Sequence, residues 1–278
     1  MRVLITNDDS HRSPLLKVAV DYFAAIAEVT LVVPLHEQSW TGKSMTRFNP
    51  VHVEAAELFG RPATFVSGTP ADCVNLALHN LMPSKPDLVV SGINAGYNIG
   101  VGFVLSSGTV GACLEANIAG VPAVAISQAF DSATRNAYMA EYLIEPARAA
   151  VFREQAHRVL DHVVGRLLAE PQRSETLGHP ITWNVNLPFS LTDPAVVRPV
   201  HLGLARYGRV FHEEDEATSG GRRTFRHSAI EKVPDPSAGC DSAVLDSGCA
   251  TITPIDLWSF AGAPHAAATE RLLQRLTR

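Results

Sequence analysis

The chain has 278 residues, a net charge of −5, 46% hydrophobic residues and 18% charged residues. That length accommodates one large α/β domain or a core with a smaller appendage, and the composition excludes general disorder. The acidic balance excludes a surface built to coat a nucleic-acid polymer, which needs clustered Lys and Arg, yet it admits a small anionic substrate because one bound metal ion reverses the local sign.

Val3-Leu4-Ile5 is an apolar run that suits a strand buried on both faces, and it stops at Thr6-Asn7-Asp8-Asp9. Adjacent aspartates diverge on a regular strand; at a turn they converge and set two oxygen ligands on one hard cation, Mg²⁺ or Mn²⁺ in preference to Zn²⁺. A surface turn followed by a helix cap is the other reading of the same residues. Ser13 and Pro14 then read as cap and first residue of a helix whose stripe is Leu15, Val18, Ala19, Tyr22 and Ile26. With a strand at 29–33 this makes a βαβ unit, the building block of a parallel sheet.

Residues 51–53 alternate weakly, 63–67 read as a strand, and Thr69-Pro70 with Asp72 read as a capped helix start. Residues 88–90 form a second doubly buried strand, followed by a polar loop from Ser91 to Gly100. Open parallel sheets bind ligands beyond the carboxyl ends of their strands, so these two strand ends are expected to face one crevice. Ser106-Ser107-Gly108-Thr109 leads into a helix at 110–119 that Gly120 closes. A turn of this kind is a phosphate cradle in principle, and a plain Thr N-cap otherwise.

A strand follows at 123–127, then an amphipathic helix after Pro146 with Phe152, Ala156, Val159, Leu160, Val163 and Leu167 on its apolar face, then a strand at 181–187. From 198 to 233 the sequence turns basic and alternating, with Gly220-Gly221, and predicts extended hairpins that reach toward another subunit. A strand at 249–255 and a helix marked by Leu272, Leu273 and Leu276 end the chain. The expected organisation is a catalytic core at 1–195 and an oligomerisation region at 196–278.

The four cysteines form no C-x-x-C pair and read as reduced and buried. No basic-then-apolar leader opens the chain and no apolar run is long enough to span a bilayer, so a cytoplasmic protein with no membrane partner is expected. Gly42-Lys43-Ser44 is not a P-loop, because Glu37 stands where that motif needs glycine. The glycine-rich segment at 96–102 lacks the G-x-G-x-x-G order, and neither a G-x-S-x-G elbow nor an H-E-x-x-H helix is present. His11 and His36 lie beside candidate loops, where a solvated role is the first reading and acid–base work the second.

Taken together, several ordered motifs resemble the SurE survival-protein family of metal-dependent 5′/3′-nucleotidases. They are Met1 through Asp9, Val32-Val33-Pro34 with Ser39, Gly68-Thr69-Pro70-Ala71-Asp72-Cys73-Val74, and Pro86 through Gly96. Asn98, Gly100 and Ser107-Gly108-Thr109-Val110 continue the pattern, with Asn184 through Pro188 and Thr251 through Ile255 as later landmarks. The resemblance implies a Rossmann-like, mostly parallel α/β sheet flanked by helices, with a C-terminal hairpin-containing region that exchanges between subunits of a homodimer or homotetramer. It implies one divalent ion, Mg²⁺ or Mn²⁺, on Asp8, Asp9, Ser39 and Asn94, with Asp8 and Asp9 catalytic, and a phosphate held by Asn98, Ser107, Gly108 and Thr109. The implied reaction is hydrolysis of nucleoside monophosphates to nucleoside and phosphate.

The sequence also departs from the family. Ser10 replaces a usual glycine, Ser13-Pro14-Leu15 replaces Ala-Pro-Gly, Trp40 replaces the glycine after Ser39, and the segment between Gly100 and Ser107 lacks the usual acidic residues and tyrosine. These changes motivate two alternatives: a phosphatase specific for a modified nucleotide or other phosphate ester, and a nucleotide-binding protein without turnover.

Overall fold

The computed structural model describes residues 1–169, 172–193, 196–214, 223–227, 232–235, 237–261 and 266–276. Its strands are β1 (Arg2–Thr6), β2 (Glu28–Pro34), β3 (Val53–Leu58), β4 (Arg61–Val66), β5 (Leu88–Ala95), β6 (Ala123–Gln128), β7 (Thr182–Leu187) and β8 (Val197–Pro199). Four short ones follow, β9 (Arg206–Tyr207), β10 (Phe211–Glu213), β11 (Phe225–His227) and β12 (Lys232–Val233), and then β13 (Ala250–Ile255). The helices are α1 (Pro14–Ala24), α2 (Pro70–Leu76), α3 (Gly100–Ser106), α4 (Gly108–Ile118), α5 (Ser132–Glu141), α6 (Pro146–Leu167), α7 (Gln172–Leu177), α8 (Asp241–Asp246) and α9 (Ala266–Leu276).

Nine strands form one sheet in the order β3-β4-β2-β1-β5-β6-β7-β13-β8. Pairing is parallel except for β3 with β4 and β13 with β7. The chain winds from β1 outward through β2 and β4, then returns to the other side of β1 with β5 and continues through β6 and β7. The switch point therefore lies between the carboxyl ends of β1 and β5, where such sheets open a crevice.

Strand periodicity divides the core into two layers. Val3 and Ile5 point to the face covered by α1 and α6, with Leu16, Val20, Phe23, Phe152, Leu160 and Trp183. Leu4 points to the face covered by α2 and α4, with Val74, Ala77, Val110, Cys113 and Ala116. Strands covered on both sides carry no polar alternation, which is why these runs read as continuously apolar. Thr69 caps α2 as expected, accepting from Asp72 N at 3.1 Å while Thr69 N donates to Asp72 Oδ2 at 2.9 Å.

Several elements differ from expectation. Ser13 makes no side-chain cap bond to α1; its Oγ accepts instead from the Tyr138 hydroxyl at 2.9 Å. The strand expected at 88–90 runs on to Ala95, through a register shift between Ser91 and Asn94. α3 occupies part of the segment expected to be loop, and α4 starts two residues earlier than expected. Within 198–233, β10 pairs with β11 and β9 with β12, both antiparallel, whereas β8 joins the main sheet beside β13. The main sheet thus takes strands from both sides of residue 195. Gly220-Gly221 lie outside the described residues. All four cysteines are buried and none forms a disulfide. Among the described residues no single helix is long and apolar enough to cross a membrane.

Candidate functional site

β1 delivers Asn7-Asp8-Asp9-Ser10 to the switch point. Asn7 Nδ2 donates to Ser10 O at 2.8 Å, closing a turn in which Ser10 takes φ 67°. Asp8 and Asp9 are 3% and 4% exposed, an unusual degree of burial for adjacent carboxylates.

Asp8 faces the N-terminus of α4. Its Oδ1 accepts from Thr109 Oγ1 at 2.7 Å and its Oδ2 from Thr109 N at 3.1 Å. Asp9 Oδ2 accepts from Ala95 N at 2.8 Å, which ties the acidic turn to the end of β5 beside Asn94. Burial pushes the Asp8 carboxyl up to about 6 against the hydrogen bonds from Thr109, with the charge of Glu37 adding to the rise. Burial also pushes Asp9 well above the carboxylate range, followed by the charge of Asp8; the hydrogen bond from Ala95 N acts in the opposite direction.

The loop after β2 closes on the same place. Gln38 N donates to Asp8 O at 2.8 Å, Thr41 Oγ1 to Gln38 O at 2.7 Å and Gly42 N to Ser106 O at 2.9 Å. Ser39 sits exposed on this loop, its N–H donating to Glu37 Oε1 at 2.9 Å. A Cβ on Gly108 would meet Asp8 Cβ and Gln38 O, each at 2.9 Å. Glycine at 108 is what lets the first turn of α4 approach both.

The polar end of β5 and the loop after it are held by residues that the motifs left without a role. Ser127 Oγ accepts from Asn98 Nδ2 at 2.8 Å and from Asn94 Nδ2 at 3.4 Å. Asn98 N donates to Asn186 Oδ1 at 2.7 Å, and Asn98 O accepts from Asn184 Nδ2 at 2.7 Å and Asn186 Nδ2 at 3.2 Å. Polar residues at alternate positions of an otherwise buried strand were the available signal for Asn184 and Asn186. Tyr138 and Ser127 gave none, because their partners are distant in sequence.

The structure thus gathers Asp8, Asp9, Asn94, Asn98, Ser107, Gly108 and Thr109 around one crevice, with Ser39 on the loop bonded to Asp8. Ser107, not Thr109, caps α4, its Oγ accepting from Val110 N at 3.1 Å. A hydroxyl that accepts in this way keeps its own proton to donate. Both donors of Thr109 are already engaged by Asp8.

The donor set fits a divalent cation. Among the described residues no ion pair with Lys, Arg or His is found for Asp8 or Asp9, so two buried carboxylates stand without counter-charge. Carboxylate, amide and hydroxyl oxygens are the ligands of hard ions such as Mg²⁺ and Mn²⁺. Among the described residues no three His, Cys, Asp or Glu side chains cluster as a metal site by themselves, so an ion here would also need neutral oxygens, and Asn94 and Ser39 lie on the adjoining strand end and loop.

Comparison with known proteins follows the same line. A family model described as Survival protein SurE matches residues 3–209. The chain is 36% identical over 255 residues to the 5′-nucleotidase SurE of Methanopyrus kandleri, covering 92% of this chain and 91% of that protein. It is 34% identical over 258 residues to the 5′-nucleotidase SurE of Rhodopirellula baltica, covering 92% of each. The crystal structure of the SurE protein from Aquifex aeolicus superposes with a TM-score of 0.68 over 97% of this chain and 100% of that one, at 24% identity, and supports the fold. The chain belongs to the SurE survival-protein family.

Proposed function

We propose that the protein is a metal-dependent phosphomonoesterase that hydrolyses nucleoside monophosphates to nucleoside and inorganic phosphate. The observation that carries this reading is the buried Asp8–Asp9 pair, with no ion pair among the described residues, set against the N-terminus of α4 at the sheet's switch point. Asp8, Asp9, Asn94 and Ser39 would hold one Mg²⁺ or Mn²⁺. When bound, such an ion polarises a phosphoryl oxygen and lowers the pKa of a coordinated water.

The chain's own residues do the rest. Thr109 aims both oxygens of Asp8, and Ala95 N fixes Asp9. Ser107 Oγ–H, the Gly108 backbone and Asn98 line the side of the crevice where the positive end of the α4 dipole favours a phosphate dianion. Ser127, Asn184 and Asn186 hold Asn98, so the donors are arranged before substrate arrives, as electrostatic stabilisation of phosphoryl transfer requires. Intact metal and phosphate residues in one crevice favour turnover over a binding role alone.

The assembly is read as a homodimer or homotetramer in which residues 196–278 form the intersubunit region. Four buried cysteines without a disulfide among them suit a reducing compartment, which favours the cytoplasm.

The test is phosphate release from a panel of 5′- and 3′-nucleoside monophosphates, with Mn²⁺, with Mg²⁺ and with chelator. Metal-dependent release that chelator abolishes is expected; release that persists undiminished in chelator would overturn the reading.

A further inference from the structure

A group of aromatic side chains beside the crevice plays no part in the account above. Trp40 follows Ser39 on the loop bonded to Asp8 and takes φ 65°, a conformation that bulky side chains adopt at a cost. Its ring meets those of Tyr207 at 4.8 Å, His227 at 5.1 Å and Phe103 at 6.3 Å. Phe103 touches Tyr97 at 5.5 Å, and Tyr97 precedes the phosphate-side residue Asn98. From the loop after β2 the indole thus meets α3 and the short strands β9 and β11, and Phe103 carries the contact on to Tyr97 in the loop after β5.

Trp40 remains 37% exposed, so the residue is not closed off by these rings. The three rings around it are inclined at 61–67°, so none of them lies parallel on the indole. The loop that carries it lies against the phosphate turn, where Gly42 N donates to Ser106 O and a Cβ on Gly108 would meet Thr41 Oγ1 at 3.0 Å. A planar group attached to a phosphate held at Ser107-Gly108 is therefore within the neighbourhood of the indole.

Resting on the phosphomonoesterase reading, we propose that Trp40, oriented by Tyr207 and His227, is the specificity-determining residue of this chain and takes the nucleobase of the substrate by stacking. Base stacking on an aromatic side chain tolerates every base, so the discrimination is between esters with and without a planar ring, worth about tenfold or more in affinity.

The experiment compares kcat/KM for adenosine 5′-phosphate and ribose 5-phosphate, which differ by the base, in wild type, Trp40→Leu, Trp40→Phe and Phe189→Leu. Phe189 makes no ring contact with Trp40 among the described residues; it lines a cavity of about 260 Å³ with Tyr97, Phe130 and Asp246, and serves as the comparison. The ratio should fall about tenfold or more in Trp40→Leu, mainly through KM, recover in Trp40→Phe and hold in Phe189→Leu. An unchanged ratio in Trp40→Leu, or a loss that follows Phe189 instead, overturns the proposal. Should Trp40→Leu fail to fold, Tyr207→Leu is expected to lower the same ratio, and no change there overturns it equally. A second readout separates this inference from the hydrolase reading: adenosine alone should quench tryptophan emission in wild type, and the quench should vanish in Trp40→Phe. Retained quench with no phosphate release from either ester sinks the hydrolase reading and leaves the platform standing; absence of quench in wild type removes the platform.

Discussion

Asp8 and Asp9 set function against stability within two residues. Asp8 binds its proton more tightly folded, at about 6, than at its ordinary 3.8. A group raised in this way stabilises the fold fully below pH 3.8, and that contribution is lost as pH rises through about 6. The corresponding penalty falls on the metal-free protein at neutral pH. Asp8→Asn should therefore raise the Tm of metal-free protein by several degrees at pH 7.5, with a gap that narrows toward pH 4, while abolishing phosphate release; thermal melts in chelator across that range check it. Thr109→Val keeps the backbone donor but removes the hydroxyl on Asp8. It should lower phosphate release about tenfold to a hundredfold, the value of a hydrogen bond to a charged group, and move the acidic limb of the pH–rate profile upward. The acidic pair was legible in the sequence because polar residues cannot end a doubly buried strand without a use. Tyr138 was not, since it reaches Ser13 across 125 residues and lies on a helix with no apolar stripe of its own.

At the scale of elements, the segment from Gly96 to Thr109 shows what local patterning misses. Gly100 and Gly102 argue against a helix, yet α3 forms because distant backbone and side chains satisfy its first turn. Gly100 N donates to Asp241 Oδ2 at 2.7 Å, Val101 N to Gly203 O at 2.9 Å and Gly102 N to Ala205 O at 3.3 Å. Asp241 Oδ1 also accepts from Gly203 N at 3.0 Å, so one buried carboxylate joins the phosphate-side loop to the C-terminal region. Asp241→Ala should destabilise the protein by about 2 kcal/mol or more and raise KM by loosening the Asn98–Gly100 loop, read by denaturant unfolding alongside kinetics. Gly108→Ala should press its methyl on Asp8 Cβ and on the backbone Gln38 O, displacing Asp8. A loss of phosphate release of about tenfold or more, together with a lower unfolding midpoint, is expected. The βαβ units were legible because each buries its own apolar stripe against its own strand.

For the whole molecule, the sheet order places two strand ends from opposite winding directions beside each other, so the crevice follows from topology before any side chain is considered. Asp8, Asp9 and Asn94 stand at those two strand ends for the same reason. The C-terminal region was legible only as a change of character: its short strands pair locally, and β8 and β13 extend the main sheet in a way that alternation alone did not specify. Leu204, Phe211 and Phe225 stand exposed along it, an apolar surface that suits a second copy of the chain. Light scattering should give a dimer or larger, and Phe211→Glu with Phe225→Glu should shift it toward monomer.

We propose that the Asp8–Asp9 pair holds a divalent ion in the protein as folded. Calorimetric titration of metal-free protein with Mn²⁺, in buffers of different ionisation enthalpy at pH 6 and pH 8, tests it most directly. One ion per chain, bound more tightly at pH 8, with proton release at pH 6 and with binding lost in Asp8→Asn, is the predicted result. Binding of equal strength in wild type and Asp8→Asn, without proton release, would contradict the account.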